Sequence, residues 1–148
     1  LHFGVSNFYS HDFSMLQSYC NVPLITNQIE VSPYCLEHLE NGNLSYLLEK
    51  RIRPMAYSPL AWGKLVHPDC EKSHRLVAEL DRIAHELDVD GIDKVIFAWI
   101  AMHPAGIVPI NGSGNLERIR RSIEALDIKM SVEQWQRILV ASRGVRLP

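Results

Sequence analysis

Four short β-forming runs alternate with helical stretches along the chain, and this alternation constrains the fold more than any other feature of the sequence. The strand candidates are residues 2–6, Leu24–Glu30, 54–58 and 107–110. Each mixes β-branched, aromatic or other apolar residues with turn formers at its end, Pro33 and Pro59 among them. Between them lie helices expected at residues 11–18, with Ser10 as N-cap, and at 44–50, after the turn signal Asn41-Gly42-Asn43. A longer loop, 59–68, leads to a helix over 73–87, where Leu76, Val77, Leu80, Ile83, Ala84 and Leu87 recur at helical spacing. Gly91 separates it from a more uniformly apolar helix over 93–102. Helices over 116–126 and 132–142 complete the pattern, the last opened by Ser131 and Gln134 at capping-box spacing. The tail from Arg143 to Pro148 reads as irregular.

Strand and helix repeated in this order require parallel strands joined by helical crossovers. The 148 residues hold four such units. A closed (β/α)8 barrel typically takes about 250 residues, so the chain has the length of half a barrel or of a small open α/β sheet. Pattern alone leaves both open. Leu1 is not a methionine and lies at a strand start, which suggests a fragment forming one domain over 1–148.

Composition narrows the partners. A net charge of -2 at pH 7 gives no reason to expect nucleic acid or an anionic membrane. No apolar run approaches the ~18 residues that span a bilayer. Cys20, Cys35 and Cys70 are widely spaced and form no C-x-x-C pair, as expected of reduced thiols in a cytoplasmic protein. The seven histidines lack metal-ligand spacing, and no metal is expected.

Sites in parallel barrels are built where strands end. At the first strand end, Gly4-Val5-Ser6-Asn7-Phe8 releases a hydroxyl and a carboxamide side by side, able to grip an amide. The second, Thr26-Asn27-Gln28-Ile29-Glu30-Val31-Ser32-Pro33, carries another carboxamide at Gln28. The third, Ala56-Tyr57-Ser58-Pro59-Leu60, places an aromatic where it can form a platform for a planar ring. In the fourth, Val108-Pro109-Ile110-Asn111-Gly112-Ser113-Gly114-Asn115-Leu116-Glu117-Arg118, glycines admit an anion close to backbone. The following helix start adds N–H donors, and Arg118 adds a planar fork for phosphate.

These four segments together closely resemble the aldo-keto reductase family in its bacterial oxidoreductase branch, from the first residues to about Trp135. The resemblance implies an α/β fold, the C-terminal half of a (β/α)8 TIM barrel, with NADP(H) as cofactor. It implies that Ser6, Asn7 and Gln28 hold the nicotinamide carboxamide and that Tyr57, followed by Ser58, stacks on the ring. The loop from Leu60 would pass over the pyrophosphate, with backbone at Leu60 and Gly63 in contact. Ser113, Asn115 and Arg118, with Gly112 and Gly114 between and before them, would bind the 2′-phosphate. The chain departs from the family at Gly112, where many members have lysine. It departs again at Arg121 and Ser122, where many have Glu and Asn facing adenine. Arg121 reads either as a substitute anion ligand or as a solvated helix charge.

The family's catalytic Asp, Tyr, Lys and His come from its first four strands, so no catalytic residue is assigned here. Tyr34, Trp62 and Phe8 are placed to reach the substrate side or the cofactor tunnel, with core packing the better reading for Phe8. The complete protein is expected to reduce an aldehyde or ketone to an alcohol, with an N-terminal half-barrel of the same protein as this segment's partner. The alternatives are a non-catalytic NADP(H)-binding regulatory or redox-sensing module and a ligand-free α/β scaffold.

Overall fold

The computed structural model describes residues 1–145. The strands are β1 (Phe3–Ser6), β2 (Leu24–Glu30), β3 (Met55–Tyr57) and β4 (Val108–Pro109). They form one sheet in the order β1-β2-β3-β4, every neighbouring pair parallel. The crossovers carry α1 (Ser10–Tyr19), α2 (Glu37–Glu40), α3 (Asn43–Glu49), α4 (Glu71–Glu86) and α5 (Ile92–Ala101). After β4 come α6 (Leu116–Glu124) and α7 (Val132–Arg143). This is the four-strand half of a (β/α)8 barrel that the sequence leads one to expect.

Register sorts the strand residues onto two faces, because side chains alternate along a strand. Ser6 pairs with Gln28, Gln28 with Met55 and Met55 with Val108, while Glu30 pairs with Tyr57. These residues share the face away from the helices. On the opposite face Asn27, Ile29 and Ala56 are fully buried. Gly4 allows β1 and β2 to approach closely, since a Cβ there would lie 2.5 Å from Thr26 Cγ2. β1 and β4 are the sheet edges, and Phe3 (51 %) and Val108 (38 %) are exposed on them. Unpaired edges of this kind invite pairing with further strands.

The core lies between the sheet and its helices. Leu76, Leu80, Ile83 and Ala84 of α4 are buried along the expected stripe, and α5 is buried continuously from Val95 to Ile100. Trp99 of α5 and Trp135 of α7 stack with centroids 5.1 Å apart. Each indole N–H donates to the other's carbonyl, at 3.1 and 3.0 Å, and such bonds contribute roughly 0.5–1.5 kcal/mol apiece.

Several boundaries differ from those read in the sequence. The N-cap of α1 is Tyr9 rather than Ser10, because the Asp12 carboxylate accepts the Tyr9 N–H at 3.3 Å and Ser10 already lies in the helix. The one-turn α2 carries no apolar period for the sequence to show. The capping box on α7 forms as expected, with reciprocal bonds of 2.9 and 3.1 Å between Ser131 and Gln134. That helix includes Arg143 and ends on left-handed Gly144, so the expected irregular tail starts later; its residues 146–148 lie outside the described residues. Among the described residues no helix is long and apolar enough to cross a membrane.

Candidate functional site

Parallel strands bring all their C-terminal ends to one rim, so residues far apart in sequence meet there. Asn7 leaves β1 in the left-handed region, at φ 58, where asparagine is tolerated better than most side chains. Its N–H donates to the Gln28 carbonyl at 2.9 Å, and the Ser6 hydroxyl donates to that oxygen at 3.0 Å. The Tyr57 hydroxyl donates to Asn7 Oδ1 at 3.0 Å. Ser6, Asn7, Gln28 and Tyr57 therefore come together as expected. The protein contacts use the backbone carbonyl of Gln28 and one oxygen of Asn7. The Gln28 side-chain amide and Asn7 Nδ2 make no hydrogen bond among the described residues. That pattern suits a primary carboxamide, which needs a donor for its oxygen and acceptors for its NH2.

Tyr57 stands on the same face as Glu30. Burial, then the negative charge of Glu30, raises the Tyr57 hydroxyl above its ordinary pKa. It is thus a neutral platform with a fixed hydroxyl. Ser58 takes φ 50, a second left-handed residue at a strand end, and turns the chain into the loop over 59–68. Strained backbone clusters at ligand sites in proteins generally.

The expected pyrophosphate loop needs one correction. The Gly63 N–H is used within its own turn, donating to the Leu60 carbonyl at 3.1 Å. Among the described residues the Leu60 N–H has no partner, whereas Gly63 presents an open Cα at φ 89 with nothing within 4 Å of a built Cβ.

The loop before α6 is held by a relay of side chains. Asn111 Oδ1 accepts from the Ser113 N–H at 2.8 Å, and Ser113 Oγ accepts from the Asn115 N–H at 3.1 Å. Asn115 Oδ1 caps the helix, accepting from the N–H groups of Glu117 and Arg118 at 2.9 and 3.2 Å. Ser113 and Asn115 thus serve first as internal acceptors, and the donors left for a ligand are the Ser113 hydroxyl hydrogen and the Asn115 amide NH2. Asn111 Nδ2 ties the loop back to α6 through Ser122 Oγ at 2.7 Å, which gives Ser122 a structural role.

Gly112 and Gly114 are not left-handed, and no protein atom lies within 4 Å of a Cβ built on either. Neither turn geometry nor crowding demands glycine at these places. The two bare Cα atoms leave a cradle beside the start of α6, where the helix dipole favours an anion. Arg118 projects from the next turn, exposed, with no carboxylate partner among the described residues.

Arg121 is neither anion ligand nor solvated charge. Its guanidinium forms two bonds to Asp93, of 2.8 and 2.6 Å, one to the Asp90 carboxylate of 2.7 Å, and another to the Asp90 backbone carbonyl. Lys94 and Arg121 in turn hold the Asp90 carboxyl at a pKa of about 2. These partners lie 28 and 31 residues away, and the clamp, packed over Gly91, fastens α6 to the start of α5.

One residue that positions the site escaped the sequence reading. Asn27 is fully buried, and its amide bonds both backbone groups of Phe8, donating to the carbonyl at 2.7 Å and accepting the N–H at 3.3 Å. Asn43 Nδ2 donates to the same carbonyl at 3.1 Å. Together they fix the segment that carries Asn7. The available signal was two successive carboxamides on a strand, of which one must face the helices. Phe8 itself packs against the core, and Tyr34 lies with its hydroxyl 3.7 Å from Cys70 Sγ and Lys64 Nζ 4.8 Å from its ring centroid.

A model of the Aldo/keto reductase family matches residues 1–142. The chain is 46% identical to the uncharacterized oxidoreductase YcsN of Bacillus subtilis strain 168, over 99% of this chain and 49% of that protein. It is 44% identical to a 6-dehydroglucose reductase of Agrobacterium fabrum, over 95% of this chain and 46% of the relative. Among solved structures, the thermostable aldo-keto reductase Tm1743, in complex with the inhibitor epalrestat, superposes with a TM-score of 0.83 at 24% identity, covering 95% of this chain and 48% of its own. The aldose reductase of Giardia lamblia superposes with a TM-score of 0.75 at 23% identity, covering 99% and 46%. The chain spans about half the length of the curated relatives it matches.

Proposed function

As this chain belongs to the aldo/keto reductase family, we propose that it binds NADP(H) and that the complete protein reduces the carbonyl of an aldehyde or ketone to an alcohol. The observation that carries the reading is the placement, on one rim of one parallel sheet, of a carboxamide-matching cluster and a bare anion cradle. A dinucleotide offers groups for both at once.

In this reading Gln28, Asn7 and Ser6 orient the carboxamide, and Tyr57 supports one face of the nicotinamide. Such orientation decides which face of the ring turns toward substrate. When bound, the nicotinamide supplies the hydride. Ser113, Asn115 and Arg118 hold the 2′-phosphate, with Gly112 and Gly114 admitting it close to the backbone. Arg121 is left out, because its fork is already filled by Asp90 and Asp93. The group that protonates the developing alkoxide belongs to an N-terminal half-barrel of the same protein, which also covers the open sheet face. The reductase names of several relatives support carbonyl chemistry, and we place the protein in the cytoplasm.

The test is a titration of the purified chain with NADPH and with NADH, followed by dihydronicotinamide fluorescence. A charge-assisted contact to the 2′-phosphate contributes roughly 1.5–3 kcal/mol, so NADPH is expected to bind about 10-fold tighter or more. Equal affinities would remove the preference for NADP(H) over NAD(H). Absence of binding by either would overturn the reading.

A further inference from the structure

We propose that Trp62 is a positioning residue of the nucleotide site, forming with Tyr57 an aromatic corner that receives the nicotinamide ring. The inference rests on the proposed function above and gives a definite role to a residue that the sequence placed only near the substrate side or the cofactor tunnel. Ala61, Trp62 and Gly63 are successive left-handed residues, with φ of 52, 55 and 89. A left-handed turn is ordinary for glycine and strained for alanine and tryptophan. Here the two strained positions face opposite ways, with Ala61 buried at 1% and Trp62 exposed at 74%.

Packing does not explain the indole. The other two tryptophans, Trp99 and Trp135, lie in a stacked pair with both N–H groups satisfied. Trp62 instead stands edge to face with Tyr57, centroids 6.2 Å apart and planes at 68°. The Tyr57 hydroxyl is bonded to Asn7, which fixes the direction in which the side chain leaves β3. Two rings at this angle make a floor and a wall. A planar heteroaromatic ring laid on Tyr57 meets Trp62 at its side and is fixed against sliding, which its carboxamide contacts alone do not achieve. The open Cα of Gly63 next to the indole leaves the following backbone clear for the rest of the ligand.

The experiment compares two halves of the dinucleotide as probes, on the chain and on its Trp62→Ala and Trp62→Phe variants. Reduced nicotinamide mononucleotide carries the ring, whereas adenosine 2′,5′-bisphosphate carries the phosphate that Arg118 would hold. Aromatic pairing of this kind corresponds to roughly a 2- to 12-fold change in affinity. Trp62→Ala is expected to weaken the mononucleotide by about that factor and leave the bisphosphate unchanged. Trp62→Phe is expected to restore most of the loss. In the unsubstituted chain the mononucleotide should quench tryptophan emission, and that quenching should be small in Trp62→Phe, where only the core pair emits.

Equal losses for both probes would make Trp62 a fold residue. Unchanged mononucleotide affinity in Trp62→Ala would make it a bystander. Either result overturns the inference while leaving the cofactor reading intact. If the unsubstituted chain binds neither probe, the cofactor reading fails and the corner fails with it.

Discussion

Arg118→Met is expected to weaken NADPH binding by about 10- to 150-fold and to leave NADH binding within about twofold. Methionine keeps much of the aliphatic bulk and removes the planar fork. The substitution is structurally mild, because the Arg118 side chain is exposed and pairs with no acid among the described residues. Its backbone N–H stays capped by Asn115 and its carbonyl stays bonded to Asn111. Comparing the cofactors controls for global damage, since misfolding would harm both. Raising salt should narrow the NADPH preference of the unsubstituted chain, because an exposed ion pair is screened over a Debye length of about 8–10 Å. Equal losses for the two cofactors would make Arg118 structural. Unchanged affinities would move the phosphate site off α6.

The second expectation is larger. Supplied with NADPH and a panel of aldehydes and ketones, this chain alone should show no sustained reduction. A positioned general acid typically contributes 10²–10⁴-fold, and loss of substrate positioning adds to that. Neither tyrosine near the rim is suited to donate a proton at neutral pH. The Tyr34 pKa is raised chiefly by its bond to Cys70, and that of Tyr57 chiefly by burial. The Tyr57 proton is also committed to Asn7. Joining the chain to a complementary N-terminal half-barrel should restore turnover. Sustained NADPH oxidation by the purified chain would contradict this division of labour, and Tyr34 with Lys64 would then be the pair to test.

Much of this was written in residue patterns that act locally. The α4 stripe and the capping box before α7 depend on neighbours within a few residues, and both appear where the sequence places them. The strand-end cluster was legible for a different reason: parallel strands carry their C-terminal residues to one rim, so order along the chain fixes who meets there. What could not be read depends on partners distant in sequence. Arg121 looks like any helix arginine until Asp90 and Asp93 are brought to it. Asn27 looks like its neighbour Gln28 until the register assigns them opposite faces. The dual use of Ser113 and Asn115, as acceptors within the loop before any ligand arrives, follows from turn geometry that glycine and asparagine permit in many forms.

A crystal structure of the chain with NADP+ tests the central claim most directly. The carboxamide is expected on Gln28, Asn7 and Ser6, with the ring against Tyr57. The 2′-phosphate is expected within about 3 Å of Arg118 and the Ser113 hydroxyl, beside the bare Cα atoms of Gly112 and Gly114. A nucleotide bound elsewhere, or lying on the rim with its 2′-phosphate turned away from α6, would contradict it.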